Sequence, residues 1–445
     1  MQKIKDILKK ITASKKLLFS AAGGFAAVVV SLVIFIVSVN SNNIPETAPE
    51  IEISSDMPQS EPLYEETEET DEYDEYDEYF EYFEEDEEQS FEQETSGGGN
   101  TGAKFPSQPQ PSATKKYYSY LTGKRVSRAQ QQKRPVSVII NNIRQAMPTV
   151  GLSYADIIYE CMVEGGITRL MPVFSNYEDI PAIGSIRSSR EYFIDLSRSH
   201  DTIYVHAGGN PQDYEQLHSR PVSWIDGVNQ VDKNGRRVTF PETFYRDSER
   251  RKTMSLEHTL MTSGEGIIAA ADKMNYKKTL DYGFTPPFKF NEKFVDIGSS
   301  GNTAYYACIP YSSGFSAEFI YDLENKLYYR KQYGAAHIDG GNGEQLKFEN
   351  VIVIFAEYTP FRGNATAIKE GHYKCELTGE GYGFYINGGK YKVIRWKKDT
   401  RESAMNLYEL NRLDLYLNPG KSFICVISTA YNKSVAISGD IMDYK

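Results

Sequence analysis

A long stretch near the beginning of the sequence lacks charge, since no charged residue occurs between Leu17 and Val39. A helix of these 23 residues would be about 34 Å long at a rise of about 1.5 Å per residue. That length exceeds the hydrocarbon core of a bilayer, which is about 30 Å thick. An uncharged run of this length excludes a solvent-exposed helix, and we expect residues 17–39 to form a single transmembrane helix.

The charges that flank this run predict its orientation. Residues 1–16 contain six lysines and one acidic residue, and the first charge after the run is Glu46. The positive-inside rule places such a basic flank in the cytoplasm. We therefore expect residues 1–16 to be a cytoplasmic stub and the body to lie outside the cell membrane. A cleaved signal peptide is the alternative, because it would also begin with basic residues, but its apolar region usually spans only about 7–15 residues.

Cysteine is also scarce, and its spacing excludes two classes of protein. The four residues, Cys161, Cys308, Cys375 and Cys425, are far apart and form no C-x-x-C pair. Neither a zinc site of that type nor a disulfide-rich scaffold is indicated. Each cysteine lies in an apolar run, which favours a buried free thiol. We expect no metal and no cofactor.

Basic residues are absent from Glu46 to Glu94, where 23 residues are acidic. Charge of one sign without aliphatic periodicity cannot bury enough apolar surface to offset the loss of chain entropy. Together with the glycines and prolines that follow, this composition predicts a disordered linker over residues 40–115 that acts as an extended stalk. Tyrosine and phenylalanine alternate with the acids, and the alternative interpretation is a cation buffer or a docking strip for a basic partner.

The remaining chain has only a weak positive charge. Residues 95–445 contain 43 basic and 37 acidic residues, which is far from the focused basic patch that nucleic-acid binding needs. We therefore expect no nucleic-acid partner. A mild positive excess suits an anionic surrounding, so the expected partner is a cell-wall polymer or an envelope protein.

Periodicity and turn residues divide the body into two domains of an α+β fold. Residues 116–285 alternate short β-branched runs with a helix predicted over residues 189–199, which is typical of an α/β domain. Pro286 and Pro287 then interrupt the pattern. Residues 286–445 contain one predicted strand after another, with Gly and Asn in the turns, which predicts a mostly antiparallel β domain.

Two glutamates and one arginine surround Gly165 and Gly166, a pair that strongly indicates a two-residue β-hairpin turn. A hairpin closed there would pair Met162 with Arg169 and place Arg169 between Glu160 and Glu164 on one face. Both glutamates are candidate catalytic residues. Four residues on a strand separate them by about 13 Å, however, whereas a glycosidase pair needs about 5–10 Å. One glutamate acting alone as a general acid remains open, as does a structural ion pair or a ligand clamp.

Two further arginines flank the start of the predicted helix. Arg187 and Arg190 bracket a turn in which Ser188 and Glu191 would form a capping box, and free backbone N–H groups at such a helix start favour an anion. Guanidinium groups add bidentate donors for carboxylate or phosphate. We interpret both arginines as ligand-binding residues, with a salt bridge that braces the domain as the alternative.

His206 ends a predicted strand, and Gly208 and Gly209 follow it. Open α/β sheets bind ligands at such strand ends, and glycines let a ligand approach the backbone closely. His337 and Asp339 are further candidate ligand-binding residues that would complete a cleft across the domain joint. The alternative for His206 is a hydrogen-bonded structural histidine, and no metal is predicted without a second ligand at suitable spacing.

Several motifs resemble the YerB-like envelope proteins of Gram-positive bacteria. In order, they are RPVSVIINN from Arg134, GLSYADIIYE from Gly151, EGGITR from Glu164, IRSSR from Ile186, HAGG from His206, H-x-D from His337, G-x-G-x-G from Gly379 and NPGK from Asn418. The resemblance covers residues 134–428 and implies an envelope location and a two-half architecture more than an activity. Many members of that family are lipoproteins, whereas this chain has a predicted transmembrane helix and an acidic stalk.

Two functions of different classes are consistent with these features. The first is a binding or regulatory module in cell-wall assembly or remodelling, which its anchor and stalk hold outside the membrane. The second is a wall-lytic enzyme that cleaves glycan strands with a glutamate general acid. The sequence leaves open whether the chain is an enzyme.

Overall fold

The computed structural model describes residues 116–298, 302–363 and 365–440. The predicted cytoplasmic stub, the transmembrane helix over residues 17–39 and the acidic linker up to residue 115 lie outside the described residues. Within the described ranges, no helix is both long enough and apolar enough to cross a membrane.

Helices are few and short in this part of the chain. The α-helices are α1 (Arg128–Gln132), α2 (Glu191–Ser199), α3 (Pro211–Ser219), α4 (Gly264–Lys273) and α5 (Ala365–Lys369). Short 3-10 helices cover Arg144–Ala146, Leu152–Tyr154, Glu164–Gly166, Arg250–Lys252, Leu256–His258 and Thr429–Ser434.

Strands make up most of the regular structure. Before residue 300 they are β1 (Tyr117–Tyr118), β2 (Arg125–Val126), β3 (Val136–Val138), β4 (Ile140–Asn141), β5 (Ile157–Met162), β6 (Thr168–Phe174), β7 (Ile183–Gly184), β8 (Ile203–His206), β9 (Ser223–Asp226), β10 (Tyr245–Arg246), β11 (Leu260–Thr262) and β12 (Lys289–Phe290). After it they are β13 (Asn302–Thr303), β14 (Tyr306–Ser312), β15 (Phe315–Asp322), β16 (Leu327–Gln332), β17 (Ala335–Ala336), β18 (Lys347–Phe348), β19 (Asn350–Pro360), β20 (Tyr373–Glu376), β21 (Gly379–Asn387), β22 (Lys390–Lys398), β23 (Asn406–Tyr408), β24 (Tyr416–Leu417), β25 (Ser422–Ser428) and β26 (Ala436–Ser438).

Two sheets contain most of these strands. The larger one has 13 strands among the described residues, in the order β13-β22-β21-β19-β25-β5-β6-β3-β8-β9 with β20, β23 and β4 beside this path. A six-stranded sheet has the order β17-β16-β15-β14-β26, with β18 paired to β16. Because β25 lies parallel to both β19 and β5, strands from before and after Pro286 share the larger sheet. The division into two domains at residue 285 stays a prediction.

Side-chain alternation along β5 shows how the larger sheet divides the core. Ile158 and Met162 point to one face, and Tyr159 and Cys161 point to the other, as the period of two in a strand requires. The first face packs against the six-stranded sheet, which contributes Phe319 to the same cluster. The second face packs against α2. A residue at position 160 is therefore enclosed between the two sheets.

The chain is β-rich with few helices, which confirms the mixed fold class in its general form. The succession of strands predicted for residues 286–445 is present as β12 to β26. The helix predicted from residue 189 is α2, but the predicted capping box of Ser188 is wrong, since Arg190 is the N-cap and makes no side-chain cap bond. The reason is that the N–H of Ser189 donates to the carbonyl of Gly208, which keeps this segment out of the helix.

Candidate functional site

The hairpin between β5 and β6 differs from the predicted one by a single residue. Cys161 pairs with Arg169, whereas the predicted two-residue turn paired Met162 with it. The loop is longer because Glu164–Gly166 forms a 3-10 turn in which both glycines have positive φ. A shift of one residue in register moves a side chain to the other face of the sheet. The side chains of Arg169 and Glu160 therefore lie on opposite faces of the sheet. The predicted cluster of all three residues is therefore wrong, and the two glutamates belong to separate networks.

Glu160 lies in a closed network between the sheets. Its carboxylate accepts hydrogen bonds from Asn142 Nδ2 at 2.8 Å and Thr168 Oγ1 at 2.7 Å. It also pairs with Arg330 Nη2 at 2.8 Å, and both side chains of this pair are fully buried. The sequence interpretation missed Arg330. Arg330 occupies one of the alternate positions of β16 whose side chains point inward, which could have indicated a buried arginine. No local sequence pattern, however, linked it to Glu160.

His337 and Asp339 follow β17 and belong to the same interior. Arg330 donates to Nδ1 of His337, so the Nε2–H of this ring donates to Thr149 Oγ1 at 2.7 Å. Burial and then the charge of Arg330 hold the pKa of His337 well below its usual value, and the ring is neutral. Asp339 accepts backbone N–H groups at 2.7–2.9 Å from Gly151, Ser153 and Gly341. Their role as ligand-binding residues stays a prediction.

Glu164 is the centre of a second and more accessible network. Its carboxylate pairs with Arg169 Nη2 at 2.6 Å and with Arg190 Nη2 at 2.8 Å. The two arginine side chains are almost buried, while that of Glu164 is 23% exposed. Burial alone would raise the pKa of the Glu164 carboxyl, but the two guanidinium groups lower it to about 2. Glu164 is therefore ionised at neutral pH and has no proton to donate.

Three residues that the sequence interpretation missed complete this network. The ring of His372 lies with Nε2 3.2 Å from Arg190 Nη2 and with Nδ1 3.2 Å from Asn210 Nδ2. Asp213 lies 3.8 Å from Arg190 and closes the capping box of α3 with Asn210. Asn-Pro with Asp three residues after Asn is a recognisable cap signal, whereas nothing local indicated His372. The Glu164 cluster comprises Glu164, Arg169, Arg190, Asn210, Asp213 and His372.

His206 ends β8 as predicted, and the two glycines connect it to this cluster. The Nδ1–H of His206 donates to the carbonyl of Gly208 at 2.9 Å, and the ring is fully buried. Burial lowers the pKa of His206 although the carboxylate of Asp226 opposes this effect. Gly208 has a φ of 81°, and a Cβ at Gly209 would lie 3.1 Å from Asp213 Cβ. The glycines thus allow the backbone that follows β8 to lie close to α3. The side chain of His206 itself faces the interior.

Arg187 lies apart from the Glu164 cluster. Its guanidinium pairs with Glu257 at 3.1 Å, and both side chains are partly exposed. The salt bridge stated as the alternative is present for Arg187, and a role of Arg187 and Arg190 in binding a ligand stays a prediction. The segment between them is not helical, and residues three apart in an extended chain point to opposite sides.

A groove opens beside the Glu164 cluster, with a volume of about 460 Å³. The residues that line it include Phe361, Arg362, Ile368, His372 and Tyr373. Arg362 is exposed, and no carboxylate of the described ranges pairs with it. Burial and then Arg190 lower the pKa of His372, so its imidazole is neutral. This His372 groove combines aromatic rings, a free guanidinium and an imidazole that Arg190 contacts from behind.

Metal ligation and thiol chemistry have little support in this part of the chain. No group of three or more His, Cys, Asp or Glu side chains suited to a metal ion occurs among the described residues. Cys161, Cys375 and Cys425 are buried free thiols as predicted, but Cys308 is partly exposed. It lies at one of the less buried, alternate positions of β14, so its prediction as buried was wrong.

The buried carboxyl of Asp213 should produce a distinctive pH dependence of stability. Burial raises its pKa to about 7 even though Arg190 opposes this shift. Since its folded-state pKa exceeds the unfolded one, this group stabilises the fold increasingly as the pH falls from about 8 to about 5. The variant Asp213→Asn keeps a side-chain oxygen for the cap. We expect it to reduce the change in the free energy of unfolding between about pH 8 and about pH 5 by roughly 2 kcal/mol. Urea unfolding across that interval measures it, and parallel profiles of wild type and variant would refute the assignment.

Comparison with known proteins gives matches in both halves of the chain. Residues 121–277 match the family described as Protein of unknown function (DUF3048) N-terminal domain, and residues 307–424 match the DUF3048 C-terminal domain. The chain is 28% identical over 292 residues to the Bacillus subtilis (strain 168) protein named "Putative lipoprotein YerB", which covers 65% of this chain and 80% of that protein. The crystal structure of YerB protein from Bacillus subtilis matches with a TM-score of 0.60 and 25% identity, over 72% of this chain and 99% of that one. These matches confirm the resemblance seen in the motifs, and the chain belongs to the DUF3048 family of YerB-like proteins.

Proposed function

We propose that this protein is an envelope protein whose extracytoplasmic body binds an anionic cell-wall glycan in the His372 groove. The observation that carries the proposal is the exposed guanidinium of Arg362, which lines the groove beside Phe361 and Tyr373 and pairs with no carboxylate of the described ranges. The arginines behind the groove have acidic partners, since Arg169 and Arg190 pair with Glu164 and Arg190 also lies 3.8 Å from Asp213. A free guanidinium next to aromatic rings suits a sugar polymer that bears carboxylate or phosphate.

The contacts suggest how a sugar would lie in the groove. Its ring would pack on Phe361 or Tyr373, and its charged substituent would meet Arg362 in bidentate geometry. The ring of His372 would form the floor of the groove, because it is only 3% exposed and its two nitrogens already contact Glu370, Arg190 and Asn210. Arg190, 3.2 Å behind that ring, would hold its orientation, and Glu164 would keep Arg190 in place.

The relative and the N-terminal sequence support the proposed location. The name of YerB describes a lipoprotein, and lipid modification holds a protein at a membrane. In this chain the uncharged residues 17–39 would be the anchor, and the lysines before them would keep the N-terminus in the cytoplasm. The acidic residues 40–115 would form a stalk that lets the body reach into the wall, where it would act in assembly or remodelling.

Two properties of the glutamates favour binding over glycan cleavage. A general acid must carry a proton at the working pH, whereas the pKa of Glu164 is about 2. Glu160 is fully buried in its pair with Arg330, so a substrate could reach it only if the sheets separated. A wall-lytic enzyme remains the second candidate, and release of soluble glycan fragments from purified cell walls would favour it over a binding module.

Substitution of Arg362 tests the proposed groove. We expect Arg362→Ala to weaken co-sedimentation of the full-length protein with purified cell walls by about tenfold, which corresponds to about 1.4 kcal/mol. The matched control is Arg251→Ala, because Arg251 is also exposed but lies in the 3-10 helix Arg250–Lys252, outside the groove. Equal losses in both variants would indicate unspecific charge attraction, and unchanged binding of Arg362→Ala would eliminate the groove.

A further inference from the structure

A second cavity, of about 340 Å³, lies between the 3-10 helix Arg144–Ala146 and the hairpin of β16 and β17. Its walls are largely apolar and include Met147 and Ile338. Gln332, Tyr333 and Arg144 also line it. None of these residues lines the His372 groove, so an inference about this cavity does not depend on the proposed function.

The hairpin turn holds a tyrosine in a conformation that tyrosine rarely adopts. Tyr333 and Gly334 form the two-residue turn, with φ values of 55° and 77°. Glycine and asparagine fit this left-handed region, whereas a bulky side chain there is an outlier that points to a role for the residue. The Tyr333 hydroxyl donates to the carbonyl of Asn142 at 2.8 Å, which fixes the ring at the edge of the cavity.

Arg144 lies over this ring and has a free guanidinium edge. The guanidinium carbon is 4.6 Å from the centroid of Tyr333. Arg144 is exposed, and no carboxylate in the described ranges pairs with it. A guanidinium that is held over an aromatic ring and left without an acid is prepared to bind a carboxylate in bidentate fashion.

Gln332 supplies a different kind of polar group to the same cavity. Its side chain faces inward from β16 and is 95% buried, since only 5% of the residue is exposed. Its amide meets full hydrogen-bonding geometry with no partner among the described residues, although it lies close enough to the Tyr333 hydroxyl to lower the pKa of that group against the effect of burial. A buried amide without partners is rare because it loses its hydrogen bonds to water without replacement. An amide group of a ligand would supply both an acceptor and a donor.

From this arrangement we infer that the cavity binds a small N-acylated carboxylate. The acylamino group pairs with the amide of Gln332, the carboxylate pairs with Arg144, and the apolar part packs against Met147 and Ile338. Two sources share this chemistry, namely the C-terminus of a peptide and an N-acetylated sugar acid.

Calorimetric titration of the full-length protein tests the inference. The probes are N-acetylalanine for a peptide end and N-acetylmuramic acid for a sugar acid, and N-acetylglucosamine is the control without a carboxylate. We expect saturable binding of at least one acid, at least tenfold weaker binding of the control, and at least tenfold loss in Arg144→Ala and in Gln332→Leu. The acid that binds more tightly identifies the source. Absence of binding for both acids, or wild-type affinity in both variants, would overturn the inference.

Tyr333→Asn separates a role in binding from a role in folding. Asparagine tolerates the left-handed conformation, so the thermal midpoint of this variant should equal or exceed that of the wild type. Its affinity for the bound acid should still fall several-fold, because Arg144 loses the ring beneath it. Unchanged affinity would overturn the inference. Arg251→Ala should bind the acid normally, because Arg251 is exposed and lies outside this cavity, and loss of binding in that variant would overturn the inference in favour of unspecific charge attraction.

Discussion

Replacement of Arg330 by methionine is expected to lower the free energy of unfolding by about 3–5 kcal/mol. The substitution leaves the Glu160 carboxylate without its charged partner at a site where both side chains are fully buried. Methionine has a similar length and keeps the apolar packing against Phe423, over whose ring Arg330 lies at 4.9 Å. The loss therefore reports the uncompensated charge together with a smaller contribution from the hydrogen bond that Arg330 donates to His337, and urea unfolding at neutral pH measures it.

Two further variants separate charge from packing in this experiment. Glu160→Gln combined with Arg330→Met removes both charges and should recover most of the lost stability. Arg412→Met is the matched control, because the Arg412 side chain is 65% exposed in its pair with Glu380, and it should change stability little. A double variant no more stable than Arg330→Met, or a similar loss in Arg412→Met, would contradict the assigned role of the buried pair.

Glu164→Gln is expected to destabilise the protein by roughly 3 kcal/mol at neutral pH and hardly at all in strong acid. The two guanidinium groups lower the pKa of Glu164 from 4.5 to about 2 against the opposing effect of burial. A pKa that is depressed in the folded state adds stability above the unfolded value. This stability is lost as the pH falls from about 4.5 to about 2. The difference between wild type and variant should close over that interval.

Urea unfolding at several pH values follows this difference directly. Glu257→Gln is a suitable control, because the Glu257 side chain is 56% exposed in its pair with Arg187, and its effect should be small. A difference between wild type and Glu164→Gln that stays constant down to pH 2 would show that the loss comes from packing and not from the ion pairs.

Local features of the fold were predictable, and long-range pairings were not. The strand β25 and the body of α2 follow from short-range periodicity. The register of the hairpin after β5 was not predictable in this way. It depends on the exact loop length, and a 3-10 turn at Glu164–Gly166 adds one residue to the loop. That residue moved Arg169 to the other face of the sheet.

The same limit applies to the candidate site. Glu164, Arg169 and Arg190 were recognisable as charged residues close to predicted element ends. The contact of Arg190 with His372 joins positions 182 residues apart, and the pair of Glu160 with Arg330 joins positions 170 residues apart. Strand order decides which distant residues meet, and a single sequence contains no pattern that specifies the strand order.

Hydrogen–deuterium exchange tests the location of the glycan most directly. The full-length protein is compared with and without soluble fragments of cell-wall glycan. Binding in the His372 groove predicts slower exchange of backbone amides in residues 368–373, which include four groove residues, and in residues 210–213 at the start of α3, where the N-cap Asn210 contacts His372. Fragments that bind while exchange in both segments stays unchanged would contradict the proposed site.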